Sequence, residues 1–181
     1  MESLRGKLLI AGPGLWDPRF RRTVVLIGQH DEQDGAVGVI LNRALELSVE
    51  EAIPDLSQVV PPGEPIFEGG PVQPQAAIIV ADFDDPAQVD VLAFDSVGFV
   101  PPEIDPQTAV VRRARVFAGY AGWGPGQLEA ELVEDGSWLI EPALADDVFC
   151  HDPERLWEQV VARKGSDFAL LRSMPEDPSL N

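Results

Sequence analysis

Two glycine-rich stretches, Gly69-Gly70-Pro71 and Gly122-Trp123-Gly124-Pro125-Gly126, are the segments best suited to chemistry. Glycine reaches backbone angles other residues avoid, so such runs can turn N–H groups toward an anion. The second run leads into a helical pattern that puts Gln127 in the first turn, where the helix dipole also favours an anion. His30 follows an apolar run and precedes a polar turn, the place for a base or a ligand contact, and Asn42 ends the next apolar run. A ligand pocket, if one forms, is expected at Gly69, Gly70, Tyr120, Trp123 and Gln127 together with His30 and Asn42. The same residues also have a plainer reading: tight turns, packed aromatic rings, and a satisfied strand-end histidine. Nothing in the sequence brings His30 and Asn42 together. As a ligand contact, Asn42 or Gln127 is expected to tolerate substitution without unfolding.

Other reactive groups are sparse. Asp31, Glu32 and Asp34 are spaced like a loop for a divalent cation, but the other ligands of an EF-hand are missing, and a solvated acidic turn is expected. Two histidines and one cysteine cannot close a His/Cys zinc site. Cys150 and His151 are adjacent, so on a strand or a helix their side chains diverge, and Cys150 beside Phe149 reads as a small buried hydrophobe. The phosphate-loop, dinucleotide, serine-hydrolase and zinc-protease signatures are absent. No catalytic residue, metal or cofactor is assigned.

The chain has 181 residues, with 13 basic against 31 acidic side chains and a net charge of −18. That surface repels phosphate backbones and anionic lipid, so neither direct nucleic-acid binding nor membrane attachment is expected. Eight of the basic residues lie in three runs: Arg5 and Lys7; Arg19, Arg21 and Arg22; Arg112, Arg113 and Arg115. They form a local basic patch only if the fold gathers them; otherwise they are solvated strand ends. The lone cysteine excludes an internal disulfide. The apolar segment Leu8–Trp16 is broken by Gly12-Pro13-Gly14 and reads as structure, not as a signal peptide. A cytoplasmic protein is expected.

The elements that position these residues follow from apolar pattern and turn chemistry. Leu8–Ala11, Thr23–Ile27 and Ala36–Leu41 read as strands. The last two flank the polar turn His30–Gly35 as a hairpin, and their unbroken apolarity calls for burial on both faces. Gly38 within the strand marks a bulge or a close backbone approach. Asp17-Pro18 caps one helical turn, and Ser48-Val49-Glu50-Glu51 is a capping box before a short helix that Pro54 ends. Ile66–Glu68, Ala76–Ala81, Val110–Tyr120 and Ser137–Ile140 read as strands. Val91–Val100 is expected to supply more strand and Pro101–Pro106 a loop. One helix is expected to start with Gly124 as cap and Pro125 in its first position, ending at Asp135-Gly136. The last helix has Asp152 as cap, Pro153 first, an apolar face of Leu156, Trp157, Val160 and Val161, and Gly165 as stop. The pattern is α+β with a mixed sheet in a single domain over 1–173, followed by a fraying tail over 174–181.

Several of these segments together resemble the AlgH/YqgE family of bacterial proteins. They are Leu9-Ile10-Ala11 with Asp17-Pro18, Phe20 and Arg22-Thr23-Val24-Val25; Gly35-Ala36-Val37-Gly38 with Asn42; Gly69-Gly70-Pro71-Val72; and Gly119-Tyr120-Ala121-Gly122-Trp123 followed by Gly126-Gln127-Leu128-Glu129 and Trp138. Order and spacing hold over residues 7–165. The resemblance implies a compact α+β domain with a mixed, partly barrel-like sheet. It also implies a role in transcriptional regulation, since the family name comes from control of alginate production. The family has no defined biochemical activity and no agreed catalytic residue to carry over. The region 91–107 departs from the family pattern. The expected function is therefore regulatory, through an unknown protein or small-molecule partner. The alternative is a small-molecule-binding protein or enzyme using the glycine-rich loops.

Overall fold

The alternation that makes both faces of a strand apolar dictates the centre of this molecule. A computed structural model describes residues 2–15, 17–88, 91–100, 111–133, 136–165 and 168. Strands β1 (Lys7–Ala11), β2 (Val24–Asp31) and β3 (Gly35–Ile40) lie side by side and antiparallel. Their residues alternate between two cores. Leu8, Ile10, Val24 and Leu26 face one, and Leu9, Val25, Ile27 and Ile40 face the other.

The remaining strands are β4 (Ala44–Ser48), β5 (Pro65–Glu68), β6 (Val72–Phe83), β7 (Leu92–Phe94), β8 (Val97–Phe99), β9 (Val111–Trp123) and β10 (Trp138–Pro142). They complete a ten-stranded sheet among the described residues, in the order β10-β1-β2-β3-β9-β6-β8-β7, with β5 joining β4 to β9. The sheet is mixed: β5 runs parallel to β9 with Phe67 opposite Phe117, and the other pairings are antiparallel. It curls but does not close. Phe99 of β8 lies on Gly28 of β2, where a side chain in place of hydrogen would strike the ring, yet no ladder joins these strands.

The helices among the described residues are α1 (Val49–Ala52), α2 (Gln127–Val133), α3 (Ala145–Val148) and α4 (Pro153–Arg163). The Ser48 capping box forms, with Glu51 accepting from the Ser48 amide, and Pro54 opens a 3-10 turn over Pro54–Leu56. Helix α4 starts on Asp152 and buries Leu156, Trp157, Val160 and Val161 against the first core. Helix α2 closes the second core with Leu128. A third core lies between the α1 region and the far halves of β6 and β9, around Val49, Ile66, Phe83 and Val116.

One expected helix start moves, the role of Gly38 is resolved within its expectation, and two elements were not expected. Helix α2 begins at Gln127, not Pro125, because Gly126 sits at φ 73° and the Gln127 side chain turns back to accept the Gly124 amide at 3.0 Å. Gly38 serves close approach to the Leu26 carbonyl, while the register shift falls opposite it, between Ile27 and Gln29. Strand β4 and helix α3 carry no sequence signal: β4 is exposed along nearly its whole length. The expected loop at 101–106 and tail at 174–181 lie outside the described residues.

Candidate functional site

The residues expected to form one pocket sit in three places. His30 and Trp123 turn toward α2, whose first residue is Gln127. His30 Nδ1 accepts the Leu4 amide at 2.9 Å, which places the ring proton on Nε2, 2.9 Å from Glu129 Oε1. The ring is 3% exposed. Trp123 Nε1 donates to Glu131 Oε2 at 2.9 Å, as does Trp138 Nε1, while Gln127 Nε2 donates to Glu131 Oε1 at 3.0 Å. One carboxylate thus fixes both indoles, and Phe20 packs on both rings.

Gly69 and Gly70 lie against β9. The Gly69 amide donates to Ala118 O and its carbonyl accepts from Ile40 at 2.9 Å each. A side chain on Gly69 would strike the Gly119 carbonyl, and one on Gly119, at φ 70°, would strike that of Gly70. These glycines let two backbones touch. Tyr120, on the same strand, lines a small apolar cavity of about 190 Å³ with Gly28, Ile78 and Phe99.

Asn42 stands in a third place, at the opposite end of the β2–β3 hairpin from His30. Its Oδ1 accepts the Val24 amide at 2.9 Å and its Nδ2 donates to Arg22 O at 2.8 Å. Both ends of its amide are committed to backbone, so Asn42 has a structural role whether or not it contacts a ligand.

The arginine runs are largely matched by acids. Arg19 pairs with Asp17 at 2.6 Å. Arg112 and Arg113 both reach Asp82, at 2.6 and 3.1 Å, and Arg113 also holds Asp146 at 3.0 Å. Burial pushes the Asp82 carboxyl up, but hydrogen bonds from Arg112, Ser96 and Arg113 outweigh it and hold the group below the ordinary carboxylate value. Arg115 is buried: it bonds Glu64, Val148 O and Cys150 O at 2.9 to 3.0 Å and packs over Phe67. Cys150 is buried too. Burial raises its thiol pKa against the opposing pull of Arg115, the reverse of what a reactive thiol needs. Asp31 Oδ1 accepts the Gln33 and Asp34 amides, closing the β2–β3 turn.

One gathering of cations remains. An open cleft of about 530 Å³ lies between the 17–22 turn and α4. Arg21, Arg22 and Arg43 form one side, and Glu154, Trp157 and Glu158 of α4 form the other. Arg22 stacks 4.6 Å over the Trp157 ring and lies 4.0 Å from Glu158. Its backbone is in the left-handed region at φ 51°, held there by the Asn42 bond. Arg43 Nη2 donates to Pro18 O at 3.1 Å, so the turn that carries Arg21 and Arg22 is tied from beneath. As site candidates, sequence reasoning named Arg21, Arg22 and Asn42 but not Arg43, Glu154, Trp157 or Glu158; Trp157 was assigned to the core face of the last helix. The i, i+3, i+4 spacing of Glu154, Trp157 and Glu158 was a usable signal for a shared helix face, though not for what faces it.

The AlgH-like family profile matches residues 8–169. The chain belongs to the AlgH-like family. A UPF0301 protein of Streptomyces avermitilis is 41% identical to it over 191 residues, covering 100% of this chain and 97% of that one. The UPF0301 protein CT0663 of Chlorobaculum tepidum is 38% identical over 97% of this chain and 95% of its own. Among solved structures, protein DIP2367 of Corynebacterium diphtheriae superposes with a TM-score of 0.85 at 30% identity, covering 96% of this chain and 94% of that one. The solution structure of the AlgH protein of Pseudomonas aeruginosa gives 0.72 at 29% identity, covering 96% and 95%. The AlgH-like fold is thus the α+β arrangement described above, and no described helix is long and apolar enough to cross a membrane.

Proposed function

We propose that this AlgH-like chain is a non-catalytic regulatory protein of the cytoplasm, related to transcription, that acts through a bound ligand or protein and not by reading DNA itself. The observation that carries the reading is the disposition of its arginines. Arg19, Arg112, Arg113 and Arg115 are each engaged by carboxylates of the fold: Arg19 by Asp17, Arg112 and Arg113 both by Asp82, and Arg115 by Glu64. The arginines that do converge, Arg21, Arg22 and Arg43, do so in a cleft of about 530 Å³, the size of a small-molecule site. A DNA-binding face needs an extended row of cations to displace counterions along the backbone, and a net charge of −18 opposes one. A single buried cysteine without a disulfide fits a reducing compartment.

Fluorescence anisotropy with a mixed-sequence DNA duplex, at low and at physiological salt, tests this. No binding is expected at either. A Kd in the range of about 10⁻⁴ to 10⁻⁶ M at physiological salt, tightening as salt falls, is the behaviour of an ordinary non-specific DNA binder and would overturn the reading.

A further inference from the structure

We infer that the cleft between the 17–22 turn and α4 binds a small metabolite with a phosphate or carboxylate at one end and hydrogen-bond donors at the other. This rests on the reading that the protein works through a ligand held there. The two sides of the cleft differ in chemistry. Arg21, Arg22 and Arg43 present donors only, whereas Glu154 and Glu158 present acceptors only. The pairs across and beside the cleft are loose: Arg22–Glu158 is 4.0 Å and Arg43–Glu68 is 3.8 Å, longer than the roughly 2.7–2.9 Å of a closed charge-assisted bond. A molecule with an anionic end and a hydroxyl- or amine-bearing end complements both sides at once.

The cationic side is built before any ligand arrives. Asn42 fixes the Arg22 carbonyl at 2.8 Å, Thr23 Oγ1 donates to Phe20 O at 2.6 Å, and Arg43 holds the Pro18 carbonyl. These bonds keep Arg22 in the left-handed backbone region, a strained state that the surroundings must over-determine. Trp157, anchored by its own bond from Nε1 to Ala11 O at 2.9 Å, is the plate on which the Arg22 guanidinium lies. Arg21 lines the same cleft and forms no ion pair among the described residues. Preorganised donors cost little ordering on binding.

Size selects the ligand along with charge. A nucleic acid would run past the cleft onto the acidic surface. A small anion within it meets the guanidinium groups at contact distance, while carboxylates beyond about 8 Å are screened at physiological salt.

Isothermal titration calorimetry with glucose 6-phosphate, glucose, inorganic phosphate and citrate tests the inference on the full chain. Glucose 6-phosphate is expected to bind more tightly than inorganic phosphate, and glucose not at all. Citrate in place of phosphate separates a carboxylate from a phosphoryl source. Arg21→Ala is expected to weaken the anionic probes about tenfold or more, the loss of one charge-assisted contact. Glu158→Gln is expected to weaken glucose 6-phosphate while leaving inorganic phosphate unchanged or tighter. Arg113→Ala, remote from the cleft, is the control for bulk charge and is expected to change nothing. Equal losses from Arg21→Ala and Arg113→Ala, or no binding of any anionic probe at millimolar concentration, would overturn the inference. A neutral or cationic metabolite that raises Tm in an Arg21-dependent way would overturn the anionic class while leaving the cleft a ligand site. DNA binding at physiological salt would instead remove the reading beneath it.

Discussion

His30 and Glu129, 99 residues apart in the chain, meet at 2.9 Å between Nε2 and Oε1. The contact ties the end of β2 to α2, and through the Leu4 amide on Nδ1 it also ties down the segment before β1. His30→Ala leaves that amide without its acceptor and removes one of the donors to the Glu129 carboxylate. A loss of about 1–3 kcal/mol is expected, the usual cost of a stranded polar group, measured by urea unfolding at neutral pH. His30→Gln, which can keep one of the two bonds, should lose less.

Glu129 adds a pH dependence whose sign is fixed. The bond from its own backbone amide, followed by that from His30, holds its carboxyl below the ordinary glutamate value. A carboxyl depressed in the folded state contributes stability that is complete above its unfolded pKa of about 4.3. That contribution is lost as pH falls through the lower folded value. Glu129→Gln is expected to lower stability at neutral pH and to flatten the acid limb of a stability profile below about pH 4.5. An acid limb as steep as that of the parent protein would refute the assignment.

The legible and illegible parts of this chain divide by range of interaction. Strands β1 to β3 and helix α4 announce themselves locally, by unbroken apolar runs and by Asp152-Pro153 with Gly165. Strand β4 does not, because Ala44–Ser48 is an exposed strand paired only with β5 and needs no apolar alternation. The start of α2 depended on whether Gly126 took a positive φ, which Gly124-Pro125-Gly126 leaves open. For the site, the arginine runs were visible but their neutralisation was not. Asp82 reaches Arg112 across 30 residues, and Glu64 reaches Arg115 across 51. The cleft joins the 17–22 turn, Arg43 and α4, an encounter set by the packing of Trp157 beneath Arg22 and not by any spacing along the chain.

Asp82 should show an asymmetry between partners. Its carboxylate is buried, while Arg112 and Arg113 remain 47% and 39% exposed. Removing both arginines strands a buried charge, whereas removing the carboxylate leaves guanidinium groups that can turn to water. The double variant Arg112→Ala/Arg113→Ala is therefore expected to lose more stability than Asp82→Asn. Because the Asp82 carboxyl is held low, its contribution is present above about pH 3.9 and fades as pH falls through the folded value. Thermal unfolding of the three proteins at pH 7 and pH 3.5 checks both statements: the gap between parent and Asp82→Asn should narrow at the lower pH.

Asn42 offers a test that separates folding from binding. Its side chain bonds the buried Val24 amide and the Arg22 carbonyl, so Asn42→Ala is expected to cost about 1–3 kcal/mol and to loosen the turn that presents Arg21 and Arg22. Arg21→Ala removes only a cleft-lining cation and should leave Tm nearly unchanged, since surface charge changes away from a network are usually worth less than about 0.5 kcal/mol. A fall in Tm for Arg21→Ala as large as that for Asn42→Ala would mean that Arg21 serves the fold.

Gly119 gives the sharpest stability prediction, because two independent penalties coincide there. At φ 70° a side chain is strained, at a cost of about 1–2 kcal/mol, and its Cβ would lie 2.6 Å from Gly70 O and 2.8 Å from Val72 O. Both obstacles are backbone and cannot rotate away, so overpacking adds about 1–3 kcal/mol. Gly119→Ala is expected to lose on the order of 2–5 kcal/mol, read as a fall in the urea midpoint. Gly63→Ala isolates the first penalty: φ there is 76°, but nothing lies within 4 Å of the added carbon. It should lose only the strain term, and equal losses at the two positions would refute the close-approach account of Gly119 against Gly70 and Val72.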